Sequence, residues 1–178
     1  MTITKRIAAL TLALAVATPA AAALTATDAS AQKPTPIKQF KQWGAYSFND
    51  KARGKVCYIL ATPSAKQPAD RDHGDVFFLV SQKPKGDDYE SQVEVGYALK
   101  DGEDVTVQIS GQTFPMFTKD NNAWLKDTGE ETSLVRAMRK GATMEVKGVS
   151  KKGTRTSYTY SLSGVTAALA AIKGCPSS

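Results

Sequence analysis

One histidine and two cysteines among 178 residues leave few ways to assemble a reactive centre. Multi-histidine zinc ligation is excluded, because it needs more imidazoles than the chain possesses. Neither G-x-S-x-G nor H-E-x-x-H occurs, so the two commonest hydrolase signatures are missing. The phosphate loops G-x-x-x-x-G-K-[ST] and G-x-G-x-x-G are missing too, which argues against a nucleotide enzyme. Asp120-Asn121-Asn122 lacks the ligand spacing of a calcium loop and reads as a turn. No apolar stretch approaches the roughly 20 residues of a spanning helix. Strong charge of one sign is also lacking: the formal balance is +6, enough to favour anionic surfaces yet ordinary for a soluble protein.

The most informative segment is the first. Lys5 and Arg6 precede the apolar run Ile7 to Val16, and Ala29-Ser30-Ala31 closes the segment with an A-x-A pattern, as a secretory signal does. Ala20 to Ala22 and Ala21 to Ala23 offer earlier cleavage points. The reading is therefore residues 1–31 as signal peptide, 32–42 as a flexible leader, and 43–178 as one domain, periplasmic or secreted, with no membrane span after cleavage. In an oxidising compartment an isolated cysteine pair usually closes a disulfide, so Cys57 is expected to bond Cys175. Export also removes nucleic acid from the expected partners.

The leader reading of Gln32 to Gln42 rests on Pro34, Pro36, several lysines and only Ile37 and Phe40 as large apolar groups, which leaves little to bury. Beyond Trp43 the pattern is one of short strands with turn signals. Val93, Val95, Tyr97 and Leu99 read as inward with Gln92 and Glu94 outward, Val105, Val107 and Ile109 as inward with Thr106, Gln108 and Ser110 outward, and Lys100 to Asp104 between them predicts a hairpin. Pro115 within Thr113 to Thr118 predicts an edge strand or a bulge. Val76 to Val80 reads as a central strand covered on both faces, and Val56 to Ala61 is similar. Thr143 to Ser150 and Thr154 to Leu162 flank Lys151-Lys152-Gly153 as a second hairpin, with a bulge expected at Gly148. Two helices are predicted: Glu130 to Lys140, ended by Gly141, and Ser163 to Lys173, capped by Ser163. The fold class is mainly β: an antiparallel β-sandwich or barrel-like domain of about eight strands with two short helices, the second at the C-terminus.

Candidate chemistry is thin. His73 lies in Asp70-Arg71-Asp72-His73-Gly74 and reads as a solvated loop residue. Asp87 with Asp88, Asp101 with Asp104, and Glu130 with Glu131 are the possible acid–base pairs of a hydrolase, though each sits at a turn or helix end, where solvation is the plainer explanation. Basic groups gather at Lys51-Arg53-Lys55, at Arg136-Arg139-Lys140 and at Lys147, Lys151, Lys152 and Arg155. The last set is the candidate anion-binding patch. Trp43, Tyr46, Phe48, Phe114, Phe117 and Trp124 read as core packing, unless Trp43 and Trp124 form an exposed cluster. No catalytic, cofactor-binding or metal residue is expected, and no cofactor.

The chain resembles the invasion-associated locus B family. The likeness runs from Trp43-Gly44 to Cys175 and is carried by Val56-Cys57-Tyr58 with Thr62-Pro63, Val76 to Val80, Val93 to Tyr97, Phe117 to Trp124, Leu134 to Gly148, Tyr160-Ser161-Leu162 and Ala167-Ala168-Leu169. The resemblance implies an exported alphaproteobacterial envelope domain, in a family linked to host-cell invasion, and transfers no catalytic position. The expected function is non-enzymatic binding of an envelope or host-surface partner, with an anionic glycan or lipid as the chemical class; the alternative is a hydrolase acting on envelope or surface polymers.

Overall fold

A computed structural model describes residues 33–83 and 88–175, so the signal segment, Pro176 and Asp87 lie outside the described residues. Eleven strands, rather than about eight, form one antiparallel sheet: β1 (Thr35–Phe40), β2 (Trp43–Asp50), β3 (Gly54–Ala61), β4 (Ala65–Gln67), β5 (Phe77–Gln82), β6 (Tyr89–Glu94), β7 (Val105–Ile109), β8 (Gln112–Lys119), β9 (Asn122–Leu125), β10 (Thr143–Val149) and β11 (Arg155–Ser161). Their order is β1-β2-β3-β5-β6-β9-β8-β7-β10-β11-β4, with β1 and β4 as free edges. Although far apart in that order, β5 and β11 meet through the Phe78 and Tyr160 rings, 6.0 Å between centroids. The Trp43 indole N–H donates to the Ser161 carbonyl at 2.9 Å. The sheet is thus curled over its own buried face while remaining unclosed, and the mainly antiparallel β reading holds.

Helix α1 (Glu131–Lys140) follows a 3-10 turn at Thr128–Glu130 and buries Leu134, Val135, Ala137 and Met138. Helix α2 (Val165–Ile172) buries Val165, Ala168, Leu169 and Ile172. It packs on β1, β2 and β3. These stripes recur at the three- and four-residue spacing of a helix with one dry face. Among the described residues no helix is long and apolar enough to cross a membrane.

Several sequence expectations are corrected. The segment read as leader carries β1, which pairs with β2 from Thr35↔Ser47 to Phe40↔Trp43; its side chains are nearly all exposed, so backbone pairing, invisible in an apolar count, is what holds it. Val93 to Leu99 does not form a hairpin with Val105 to Ile109. Instead β6 pairs with β5 and β9, and β7 with β8 and β10. Two residues past the end of β6, Gly96 crosses another backbone: a Cβ there would lie 2.6 Å from the His73 carbonyl oxygen. Pro115 is in neither an edge strand nor a bulge. It sits inside β8 opposite Thr106, and its nitrogen faces the end of β9, where Lys126 N–H donates to the Pro115 carbonyl at 3.1 Å. The ladder stops where proline cannot donate.

Gly148 is not bulged either, since the β10–β11 register runs unbroken from Thr143↔Ser161 to Val149↔Arg155. Its missing side chain makes room for Val105 and Leu99. Ser163 does not cap α2: the cap is Gly164, at φ 99°, where a Cβ would collide with the Phe40 carbonyl. Strand β5 buries Phe78 and Val80 but leaves Phe77 and Leu79 half-exposed, so only one of its faces is fully covered. Conversely, β3, the β10–β11 hairpin and both helices form where the sequence places them.

Candidate functional site

Cys57 of β3 and Cys175, just beyond α2, are bonded, with Cα atoms 6.0 Å apart and 118 positions between them in sequence. The bridge fastens the last helix to the sheet.

The four residues of the candidate patch divide between two clefts: Lys147 lies in β10 and Arg155 begins β11, whereas Lys151 and Lys152 lie in the turn between those strands. Lys147 and Arg155 face outward into a depression of about 420 Å³ that also contains Glu103 and Asp104. There Lys147 pairs with Glu145 at 2.9 Å and donates to Gln108. Lys126 pairs with Asp104 at 3.0 Å. Positive charge on this side is largely matched, and Glu145 is held below the usual carboxyl range by its hydrogen bonds from Lys147 and Ser157.

Lys151 and Lys152 stand elsewhere. The turn joining β10 to β11 is set by Gly153 at φ 85°, by the Gly153 N–H to Ser150 carbonyl bond of 2.7 Å and by Thr154 N–H on Ser150 Oγ. It holds both lysines beside Arg71 over a cleft of about 450 Å³ whose wall includes His73, Tyr97 and Thr156. The single carboxylate there, Asp72, already accepts from Gly74 N–H at 2.8 Å. Arg71 lies 3.9 Å from Asp70, an exposed pair of small strength.

His73 is the largest departure from expectation. It is 5% exposed rather than solvated. Its Nε2 lies 2.9 Å from the Pro68 carbonyl and its Nδ1 2.9 Å from the Tyr158 hydroxyl. Tyr158 is 2.7 Å from the Tyr97 hydroxyl, which is 2.7 Å from Thr156 Oγ1, and Thr156 Oγ1 is 3.2 Å from the Gly148 carbonyl. Burial, reinforced by Tyr97, pushes the Tyr158 hydroxyl well above the ordinary phenol range. Tyr160 is raised chiefly by burial as well. Neither phenol is poised as a base or nucleophile. Both imidazole nitrogens are committed, so His73 holds the loop to the sheet.

Two of the three carboxylate pairs lie wholly among the described residues. Buried Glu131 accepts from Ser91 N–H at 2.9 Å and Ser91 Oγ at 2.7 Å, which ties α1 to β6. Burial raises its carboxyl value, and the bonds from Ser91 oppose that rise. Asp101 and Asp104 remain at an exposed turn. Among the described residues no group of three or more histidine, cysteine or carboxylate side chains could hold a metal.

Elsewhere, Arg136 and Arg139 line a groove of about 440 Å³ between the helices with Tyr89. Arg53 pairs with Asp50 at 3.4 Å. The six aromatics do not all enter the core: Trp43 and Phe114 are buried, whereas Tyr46 and Phe48 flank Tyr58 on the opposite face. Phe117, 45% exposed, stacks on Trp124. Sequence reasoning missed the Tyr158–Tyr97–Thr156 chain, because its members come from segments with no common motif. The only signal was a histidine and a glycine, His73 and Gly96, in a chain short of the former.

A curled antiparallel sheet with two helices, the second joined to β3 through the disulfide, defines a small β-domain protein. The chain belongs to the Invasion associated locus B (IalB) protein family, whose model matches residues 43–173. Its fold is similar to that of the crystal structure of invasion associated protein B from Bartonella henselae, with a TM-score of 0.59 at 14% identity, covering 78% of this chain and 96% of that one. No curated protein matches the sequence.

Proposed function

We propose that this chain is an exported envelope protein, periplasmic or secreted, that acts by binding an anionic partner rather than by catalysis. The observation that carries the reading is the convergence of Arg71, Lys151 and Lys152 on one concave site, where Asp72 is the single carboxylate and one of its oxygens is already engaged. Three cations over low-dielectric walls focus positive potential and attract anions. Export is supported by the signal pattern of residues 1–31 and by the Cys57–Cys175 bridge, a bond typical of oxidising compartments. An anionic glycan or lipid of the envelope is the partner class, and the role needs no host cell.

The test is retention of envelope fragments and periplasmic extract on the immobilised protein at low and high salt. Binding that is lost at high salt, and lost on the double substitution Lys151→Glu/Lys152→Glu, supports the reading. Retention of nothing at either salt, or binding indifferent to both lysines, overturns it. Mass spectrometry of fractionated cells should find a processed N-terminus and no free thiol; an unprocessed chain in the cytosol contradicts export.

A further inference from the structure

We infer that the groove between α1 and α2 is a second anion site, one that takes a phosphate monoester. It shares no residue with the cleft of Arg71, Lys151 and Lys152 and is tested apart from it. Thr132, Arg136 and Arg139 follow one another at the four- and three-residue steps that keep side chains on one helix face, and Thr166 and Ala170 do so on α2, with Lys173 just past its end. Together with Tyr89 of β6 these rows line a groove of about 440 Å³ in which every charged group is a cation. Two arginines three positions apart on one helix face repel each other, and a bound anion relieves that repulsion.

Tyr89 adds a donor. It is 8% exposed, and Arg139 Nη2 donates to its hydroxyl at 3.3 Å. A guanidinium can only donate, so the hydroxyl keeps its own hydrogen, which no described residue accepts. A nearly buried donor at the groove wall calls for an acceptor oxygen. Arg139 stands in the last turn of α1, where a cation complements the helix dipole. Arg136, a turn earlier, has no such account and makes no hydrogen bond or ion pair with any described residue. Recognition groups thus come from three directions: two guanidinium forks on α1, the Thr166 hydroxyl and the charge of Lys173 beside α2, and Tyr89 from the sheet. A planar carboxylate, with its two oxygens in one plane, meets one wall. A phosphate monoester spreads three terminal oxygens tetrahedrally, carries close to two negative charges at neutral pH, and pairs with guanidinium forks in bidentate fashion.

The experiment follows the backbone amide resonances of the disulfide-bonded protein at about pH 7 during titration with glycerol 3-phosphate and with succinate, and measures retention on phosphatidylcholine vesicles with and without phosphatidic acid. Glycerol 3-phosphate should shift the amides of Arg136, Arg139 and Thr166 and bind roughly tenfold more tightly than succinate. Tyr89→Phe should weaken that binding about tenfold, the worth of one hydrogen bond to a charged group. Arg136→Gln/Arg139→Gln should abolish it, whereas Lys151→Glu/Lys152→Glu should leave these shifts in place. Binding of the ester without vesicle retention assigns a soluble ligand, and retention that needs both phosphatidic acid and the two arginines assigns a lipid headgroup; either result supports the site. Amides that do not move, equal affinity for succinate, or binding unchanged in either the Tyr89 or the arginine variant overturns the inference and leaves the Arg71 cleft untouched. If Tyr89→Phe does not fold, the exposed arginines decide.

Discussion

At the scale of single residues, the consequential groups are the polar ones that the fold has buried. The Tyr160 hydroxyl is enclosed with no hydrogen-bond partner among the described residues, and a buried unsatisfied hydroxyl costs free energy that a hydrogen atom in its place would not. Tyr160→Phe should therefore raise unfolding stability by about 1 kcal/mol in denaturant titration; a loss of stability would mean that the hydroxyl has a partner. Glu131 behaves oppositely to most carboxylates. Because burial raises its value above the ordinary 4.5, the stability it contributes is complete below that ordinary value and is lost as pH rises through the raised one. Glu131→Gln keeps a bond to each Ser91 donor site, with the amide N–H now donating to Ser91 Oγ, and does not titrate. Its stability relative to the parent should climb with pH above about 4.5 and then level off; a difference independent of pH would refute the assignment.

At the scale of elements, α2 depends on its two ends. Its first turn is docked through Gly164, where a Cβ would meet the Phe40 carbonyl, and its far end is held by the bond from Cys175 to Cys57 in β3. Closing a loop of 118 residues restricts the unfolded chain, and removing such a bridge costs about 2–5 kcal/mol. Paired Cys57→Ser and Cys175→Ser substitutions should lower stability by that amount, measured by chemical denaturation, and native-state hydrogen exchange should show α2 opening first. Unchanged stability would make the bridge incidental. The bridge and the presence of both helices could be read from cysteine count, export pattern, stripe spacing and glycine stops, whereas the cap of α2 could not. The docking of Gly164 could not, because it depends on the position of a carbonyl more than a hundred residues away.

At the scale of the whole molecule, one sheet is held in its curl by a backbone crossing. Gly96 passes so close to His73 and Gly74 that a side chain at 96 would lie within 2.6 Å of a carbonyl oxygen and 2.7 Å of the Gly74 Cα. Gly96→Ala must move backbone rather than a flexible side-chain tip, so a loss of about 2 kcal/mol or more is expected. The His73 ring resonances should shift with it, because the crossing sets the distance from His73 to Tyr158. Full stability with unshifted His73 signals would show that the crossing yields easily. This contact also explains why the 92–99 and 105–109 alternation misleads. The periodicity reports which face of each segment is dry, and says nothing about which strand lies beside it.

Local pattern therefore determined the strand-rich class, the two helices, the β10–β11 hairpin and the cysteine pair, since each follows from side-chain period, turn chemistry or compartment. Tertiary structure alone decided the rest. It enlisted an exposed proline-bearing segment as β1 through backbone pairing, split Lys147 and Arg155 from Lys151 and Lys152 between two clefts, and joined His73, Tyr97, Thr156 and Tyr158 into one hydrogen-bonded chain. Such groupings arise from long-range strand order, which is set by the packing of the entire core and leaves no periodic trace in any single stretch of the chain.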